Sequence, residues 1–162
     1  MVKRSAGILV FRRIDGELEV FLVHPGGPFF SRRDKGAWTI PKGECEPGEQ
    51  PFDTAKREFL EETGFIIDGE YLDLGQIRQQ GGKYVTAWAI EGDLDPSKLR
   101  SNTFELNGRT FPEVDRGAWF QIGPAKEAIN PGQSTLIDRL QEMLIAAFSD
   151  SRDPCPEGSS EP

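Results

Sequence analysis

The segment Pro51–Gly64, PFDTAKREFLEETG, leaves this chain less conformational freedom than any other part of it. Pro51 opens the segment with a ring that presets a helical φ and lacks the N–H that a first turn leaves unused. Gly64 closes it at the position where a helix ends in a left-handed residue. At roughly 100° per residue, Phe52, Ala55 and Phe59 fall on one face and predict the buried side. Glu58, Glu61 and Glu62 stand at i, i+3 and i+4, so three carboxylates share a strip on the other side. Like charges at this spacing destabilise a helix by about 0.2–0.5 kcal/mol per pair. A hard divalent cation removes that cost, because Mg²⁺ favours carboxylate oxygens together with water and phosphate oxygens. For the strip alone, a merely solvated acidic face is the competing explanation. Arg57, four residues before Glu61, is placed to pair with it.

The flanking sequence predicts one domain, residues 3–148, with a mobile polar tail at 149–162 (SDSRDPCPEGSSEP). A chain of 162 residues buries enough surface for one core without disulfides. Ala6–Arg13 and Leu18–His24 read as strands joined at Asp15-Gly16, and Pro25–Lys35 reads as a loop. Trp38–Ile40 is expected to form a short strand ending at Pro41, followed by the helix Pro51–Thr63. Tyr71–Arg78, Lys83–Ile90 and Ala118–Ile122 read as further strands, with the polar stretch Glu91–Thr110 mainly loop. A short helix at Pro124–Ile129 precedes a closing helix, Gln133–Phe148, with Leu136, Leu140, Leu144 and Phe148 on its buried face. Strands mixed with separated helices predict an α/β or α+β sandwich around a mixed sheet.

Nineteen Lys and Arg against 27 Asp and Glu give a formal charge of −8. Such a surface repels nucleic-acid backbones, so no nucleic-acid partner is expected. An anionic small substrate would need a cation between itself and the protein. No apolar run approaches the ~20 residues of a membrane span. The opening MVKRSAGILVFRR reads as a strand closed by Arg12-Arg13 rather than a secretory signal. Cys45 and Cys155 make neither a disulfide framework nor a zinc site, and are expected as free thiols in a reducing cytoplasm.

The acidic strip belongs to a longer pattern. Gly43, five residues, Glu49, seven residues, then Arg57-Glu58-Phe59-Leu60-Glu61-Glu62-Thr63-Gly64-Phe65 resembles the Nudix box at every fixed position. Seven such identities coincide by chance in on the order of one chain in a million. The segments SAGILVFRR, WTIPKG and PEVDRGAWF also resemble Nudix hydrolases, and most of all the branch that contains diadenosine tetraphosphate hydrolases. The resemblance implies an α/β/α sandwich with the box as loop–helix–loop. It also implies Mg²⁺- or Mn²⁺-dependent hydrolysis of a nucleoside diphosphate linked to another group. In that branch the expected reaction is diadenosine tetraphosphate to ATP and AMP. Nucleoside triphosphates and nucleotide sugars are the alternative substrates within the family. A nucleotide-sensing module is the non-enzyme alternative, and the intact glutamates argue against it. Monomer and homodimer remain equally open.

By the same resemblance Glu58, Glu61 and Glu62, with the Gly43 carbonyl, are the metal ligands. Arg57 orients a carboxylate, Glu49 fixes the loop, and Gly64 serves backbone geometry. The general base is one of Glu61 and Glu58 inside the box, or Glu105 and Glu113 after it. Lys42, Lys83, Arg32 and Arg33 are the candidate phosphate contacts and Tyr84 the candidate base-stacking ring. Phe29, Phe30, Trp38 and the lone His24 are expected to serve packing and structure.

Overall fold

In the computed structural model, which describes residues 3–79 and 81–151, the central strand β1 (Arg4–Ile14) is buried from Ser5 to Phe11. Successive side chains of a strand point to opposite faces, so Ala6, Ile8 and Val10 enter one core and Leu9 and Phe11 the other. Antiparallel to β1 lies β2 (Glu17–Pro25), joined through the Asp15-Gly16 turn. The sheet is completed by β3 (Lys42–Glu44), β4 (Tyr71–Arg78), β5 (Tyr84–Glu91) and β8 (Val114–Gln121), in the order β4-β5-β1-β2-β8 with β3 beside β1. Only the β1–β5 pairing is parallel, which makes the sheet mixed.

Helix α1 (Pro51–Thr63) covers one face through Ala55 and Phe59. Phe52 is half-buried, edge-on to Tyr71 and Trp88. The other face is covered by α2 (Ile122–Ala128) and α3 (Ser134–Ser151), with Leu136, Ile137 and Leu140 fully buried. Leu144 packs at the margin, while the side chain of Phe148 lies outside the described residues. Residues 149–151 are the end of α3, and 152–162, including Cys155, also lie outside them. No helix among the described residues is long and apolar enough to cross a membrane.

One departure from regular pairing creates the site. β1 and β2 pair from Phe11–Val20 to Ile14–Glu17 and then diverge. The segment 38–44 fills the gap: Thr39 bridges Val23 of β2, while Lys42 and Gly43 pair with Gly7 and Ala6 of β1. Pro41 accepts from Ile8 N at 3.1 Å but has no N–H to give. The expected strand Trp38–Ile40 is therefore reduced to isolated bridges, and the ladder forms after the proline instead.

The stretch Glu91–Thr110 also departs from expectation. It holds a short 3₁₀ turn, Pro96–Lys98, and a hairpin of β6 (Thr103–Leu106) and β7 (Arg109–Pro112). The turn is Asn107-Gly108, with both residues at positive φ, the pair most favoured in two-residue hairpins. That signal stands in the sequence, masked by the polarity around it.

Candidate active site

Helix α1 aims its acidic strip at the gap between β1 and β2. Gly43 is what lets it close: a Cβ built there would fall 2.0 Å from the Glu58 carboxyl carbon. No other residue leaves that space. Glu62 reaches the same segment, its Oε1 accepting from Lys42 N at 3.2 Å.

A third carboxylate arrives from the start of the edge strand β8. Asn102 N donates to the Glu61 carbonyl at 2.8 Å, Glu113 N donates to the Asn102 carbonyl at 2.8 Å, and Gly26 N donates to the Glu113 carbonyl at 2.9 Å. Val114 N is held by Ser101 Oγ at 2.9 Å. This backbone strap fastens the start of β8 to α1. Glu58, Glu62 and Glu113 consequently each offer an oxygen, all within 4.8 Å of one another. Glu105, the other expected loop glutamate, is exposed on β6 opposite Thr110 and is not in this group.

Arg57 organises the rest of the helix face. Its Nε and Nη2 grip the two oxygens of Glu49 at 2.8 and 2.9 Å, while Nη1 reaches Glu58 at 2.9 Å and Glu61 at 3.1 Å. Glu49 also accepts from Glu46 N at 3.1 Å and from the Thr54 hydroxyl at 2.7 Å, which closes the loop before the helix. Paired this way, mainly with Arg57, the Glu49 carboxyl is pulled down to about 2. Glu61 is thus turned toward Arg57, whereas Glu113 takes the third position beside Glu58 and Glu62. Gly64 caps α1 in the left-handed region, its N–H donating to the Leu60 carbonyl at 2.8 Å.

Burial, and then the charge of Glu58, push Glu62 up to about 8. Burial also raises Glu58 and Glu113, with Glu61 adding to both. Burial lowers the Lys42 ammonium; Glu62 opposes that shift and the neighbouring charge of Lys83 adds to it. Mutually repelling, half-buried carboxylates of this kind fit a hard divalent cation, whose charge favours their ionised form. The donor set is oxygen only, which suits Mg²⁺ or Mn²⁺ rather than a softer metal.

The remaining candidates lie on other elements. Lys83 is exposed just before β5, and its carbonyl accepts from Gln79 N at 2.7 Å. Tyr84 is half-buried, with the Arg78 guanidinium 5.9 Å from its ring centroid. Arg32 and Arg33 are exposed in the loop after β2. Gln133, for which the sequence carries no functional signal, is 1% exposed. Its Oε1 accepts from Ile40 N at 3.0 Å, and its Nε2 donates to Thr39 Oγ1 at 2.8 Å and to Gln79 Oε1 at 3.4 Å. It ties the segment leading to Lys42 to the turn leading to Lys83. A lone glutamine before a helix carries no pattern that would have revealed this.

A family model described as NUDIX domain matches residues 1–140. The asymmetrical bis(5'-nucleosyl)-tetraphosphatase of Mus musculus is 33% identical over 102 residues, 56% of this chain and 66% of that protein. The protein of the same name from Caenorhabditis elegans is 36% identical over 63 residues, 39% of this chain and 41% of that protein. The chain thus spans up to about two thirds of the length of these curated relatives. A solved structure of C. elegans Ap4A hydrolase in a binary complex superposes with a TM-score of 0.62 at 22% identity, covering 90% of this chain and 99% of that one. The NUDIX domain of Shewanella oneidensis NrtR, complexed with ADP ribose, superposes with a TM-score of 0.65 at 16% identity, covering 89% of each chain. At these identities the two structures share the α/β/α fold with this chain.

Proposed function

This chain belongs to the NUDIX domain family, and from that premise we propose that it is a divalent-metal-dependent pyrophosphohydrolase of dinucleoside polyphosphates. Diadenosine tetraphosphate, cleaved asymmetrically to ATP and AMP, is the substrate that fits best. The observation that carries the reading is the convergence of Glu58, Glu62 and Glu113 within 4.8 Å, beside the half-buried Lys42. The relatives named as asymmetrical tetraphosphatases support the choice of substrate.

Glu58 and Glu62 would hold Mg²⁺ or Mn²⁺ together with the Gly43 carbonyl, and Arg57 keeps Glu58 and Glu61 in place. When bound, such a cation polarises phosphoryl oxygens and acidifies a water. Glu113, whose pKa is raised by burial and then by the charge of Glu61, would accept the proton of the attacking water. Lys42 and Lys83 meet phosphate oxygens of the substrate, and Tyr84 offers a ring face to one base.

The test is a product assay with Mg²⁺ or Mn²⁺ on diadenosine tetraphosphate, nucleoside triphosphates and nucleotide sugars. ATP plus AMP from diadenosine tetraphosphate, formed faster than any product from the others, is the expected result. Two ADP per substrate would reject asymmetric attack, and a preferred nucleotide sugar would reject the substrate while leaving the metal site standing.

A further inference from the structure

Among the described aromatic residues Phe29 alone is exposed, at 72%, although packing is what the sequence suggests for it. Leaving a Phe in water forgoes the stabilisation that burial would give. The loop that displays it is nevertheless firmly held. A Cβ on Gly26 would lie 1.9 Å from the Pro112 carbonyl oxygen, so the loop root rests directly on the backbone of β7. The Phe104 ring, itself against Phe111, covers Gly27. At the other end the buried His24 donates from Nε2 to the Arg33 carbonyl at 2.6 Å, while its Nδ1 faces both Asp115 oxygens at 3.1 Å. Between these anchors Arg33 N donates to the Phe30 carbonyl at 3.0 Å and the Ser31 hydroxyl to that of Pro28 at 3.3 Å.

What this rigid arm presents is specific. Phe29 stands free, Arg32 is exposed, and the Arg33 guanidinium lies 5.5 Å from the Phe30 ring centroid. On a chain of charge −8 this is a cationic and aromatic surface. It also starts beside Glu113, whose backbone carbonyl accepts from Gly26 N and whose carboxylate belongs to the cluster. The Cα of Phe29, three residues on, lies within about 11 Å of that of Gly26. An aromatic face beside guanidinium groups recognises an aromatic base that carries phosphate.

Resting on the function proposed above, we propose that residues 26–33 form the site for the second nucleoside of a dinucleoside polyphosphate. Phe29 stacks on its base and Arg32 binds the phosphate next to it. The first nucleoside, whose base lies on Tyr84, does not touch this arm. Diadenosine tetraphosphate therefore gains an affinity that a mononucleotide lacks.

Two measurements test this on the full chain: equilibrium binding of diadenosine tetraphosphate and of ATP, and the KM for hydrolysis of diadenosine tetraphosphate. Phe29→Ala should weaken diadenosine tetraphosphate binding and raise its KM by at least about fivefold, the low end of base–aromatic stacking. Phe29→Tyr should restore both, ATP binding should change less than about twofold, and the melting temperature should stay constant because the side chain is exposed. A Phe29→Ala protein with unchanged diadenosine tetraphosphate affinity would overturn the arm while leaving the enzymatic reading intact. An equal loss for ATP would also overturn it, since the site would not then be reserved for a second nucleoside. Wild-type protein that binds diadenosine tetraphosphate through Phe29 without cleaving it would uphold the arm and reject the enzymatic reading.

Discussion

The Glu58 carboxylate occupies the space where a side chain on residue 43 would begin, with a built Cβ only 2.0 Å from its carboxyl carbon. Gly43→Ala must therefore push Glu58 aside or move β3 off β1. Only the end of the flexible Glu58 side chain is met, so displacing the carboxylate is the cheaper of the two and the cost falls on the site more than on the fold. We expect little change in melting temperature and at least about tenfold weaker Mn²⁺ binding by calorimetry, the scale of losing one charge-assisted contact. Unchanged Mn²⁺ affinity would show that Glu58 is not a ligand.

Glu62 tests the cluster through pH. Its value of about 8 lies above the ordinary 4.5, so between those two values the folded protein keeps a proton that the unfolded chain has lost. This contribution makes metal-free stability fall as pH rises through that window. Glu62→Gln removes the contribution, so the variant should gain on metal-free wild type from pH 5 to pH 8 in paired melting curves. Its turnover should fall at least about a hundredfold, the scale of losing an electrostatic group at a reacting centre. Equal pH slopes for the two proteins would contradict the assignment.

Glu49 carries the opposite sign. Its value of about 2 is below the ordinary 4.5 because Arg57 and Glu46 N favour the charged form. The stabilisation is present above pH 4.5 and is lost as pH falls toward 2. Glu49→Gln should thus melt below wild type at pH 7, with the gap closing through that acidic range. A gap that persists at pH 2 would place the role of Glu49 outside this ion pair.

The two loop glutamates should separate sharply. Glu113→Gln should lower kcat by about 10²–10⁴, the range of general acid–base contributions, while Mn²⁺ affinity falls only a few-fold. Glu105→Gln, on exposed β6, should leave kcat within about twofold. Parallel titration and steady-state kinetics decide the matter: a Glu113→Gln protein that loses Mn²⁺ outright makes Glu113 a third ligand instead of the base.

The local parts of this protein were determined by sequence alone. Pro51, Gly64 and the spacing of Phe59 against Glu58 and Glu62 define α1, because a helix places residues three and four apart on one face whatever surrounds it. The apolar run in 6–13, rich in Ile, Leu, Val and Phe, and the Asp15-Gly16 turn define the first hairpin for the same near-neighbour reason. The Nudix pattern identified the family from residues within one continuous stretch. Tertiary structure alone decided the rest. Glu113 rather than Glu61 joins Glu58 and Glu62, because Asn102 hangs from the end of α1 and carries the start of β8 with it. Gln133 secures the segment before Lys42 from the opposite layer of the fold. Phe29 is displayed instead of buried because His24, Pro112 and Phe104 hold its loop against the sheet edge. Such contacts join residues far apart in the chain through backbone groups that every residue shares, and no side-chain period records them.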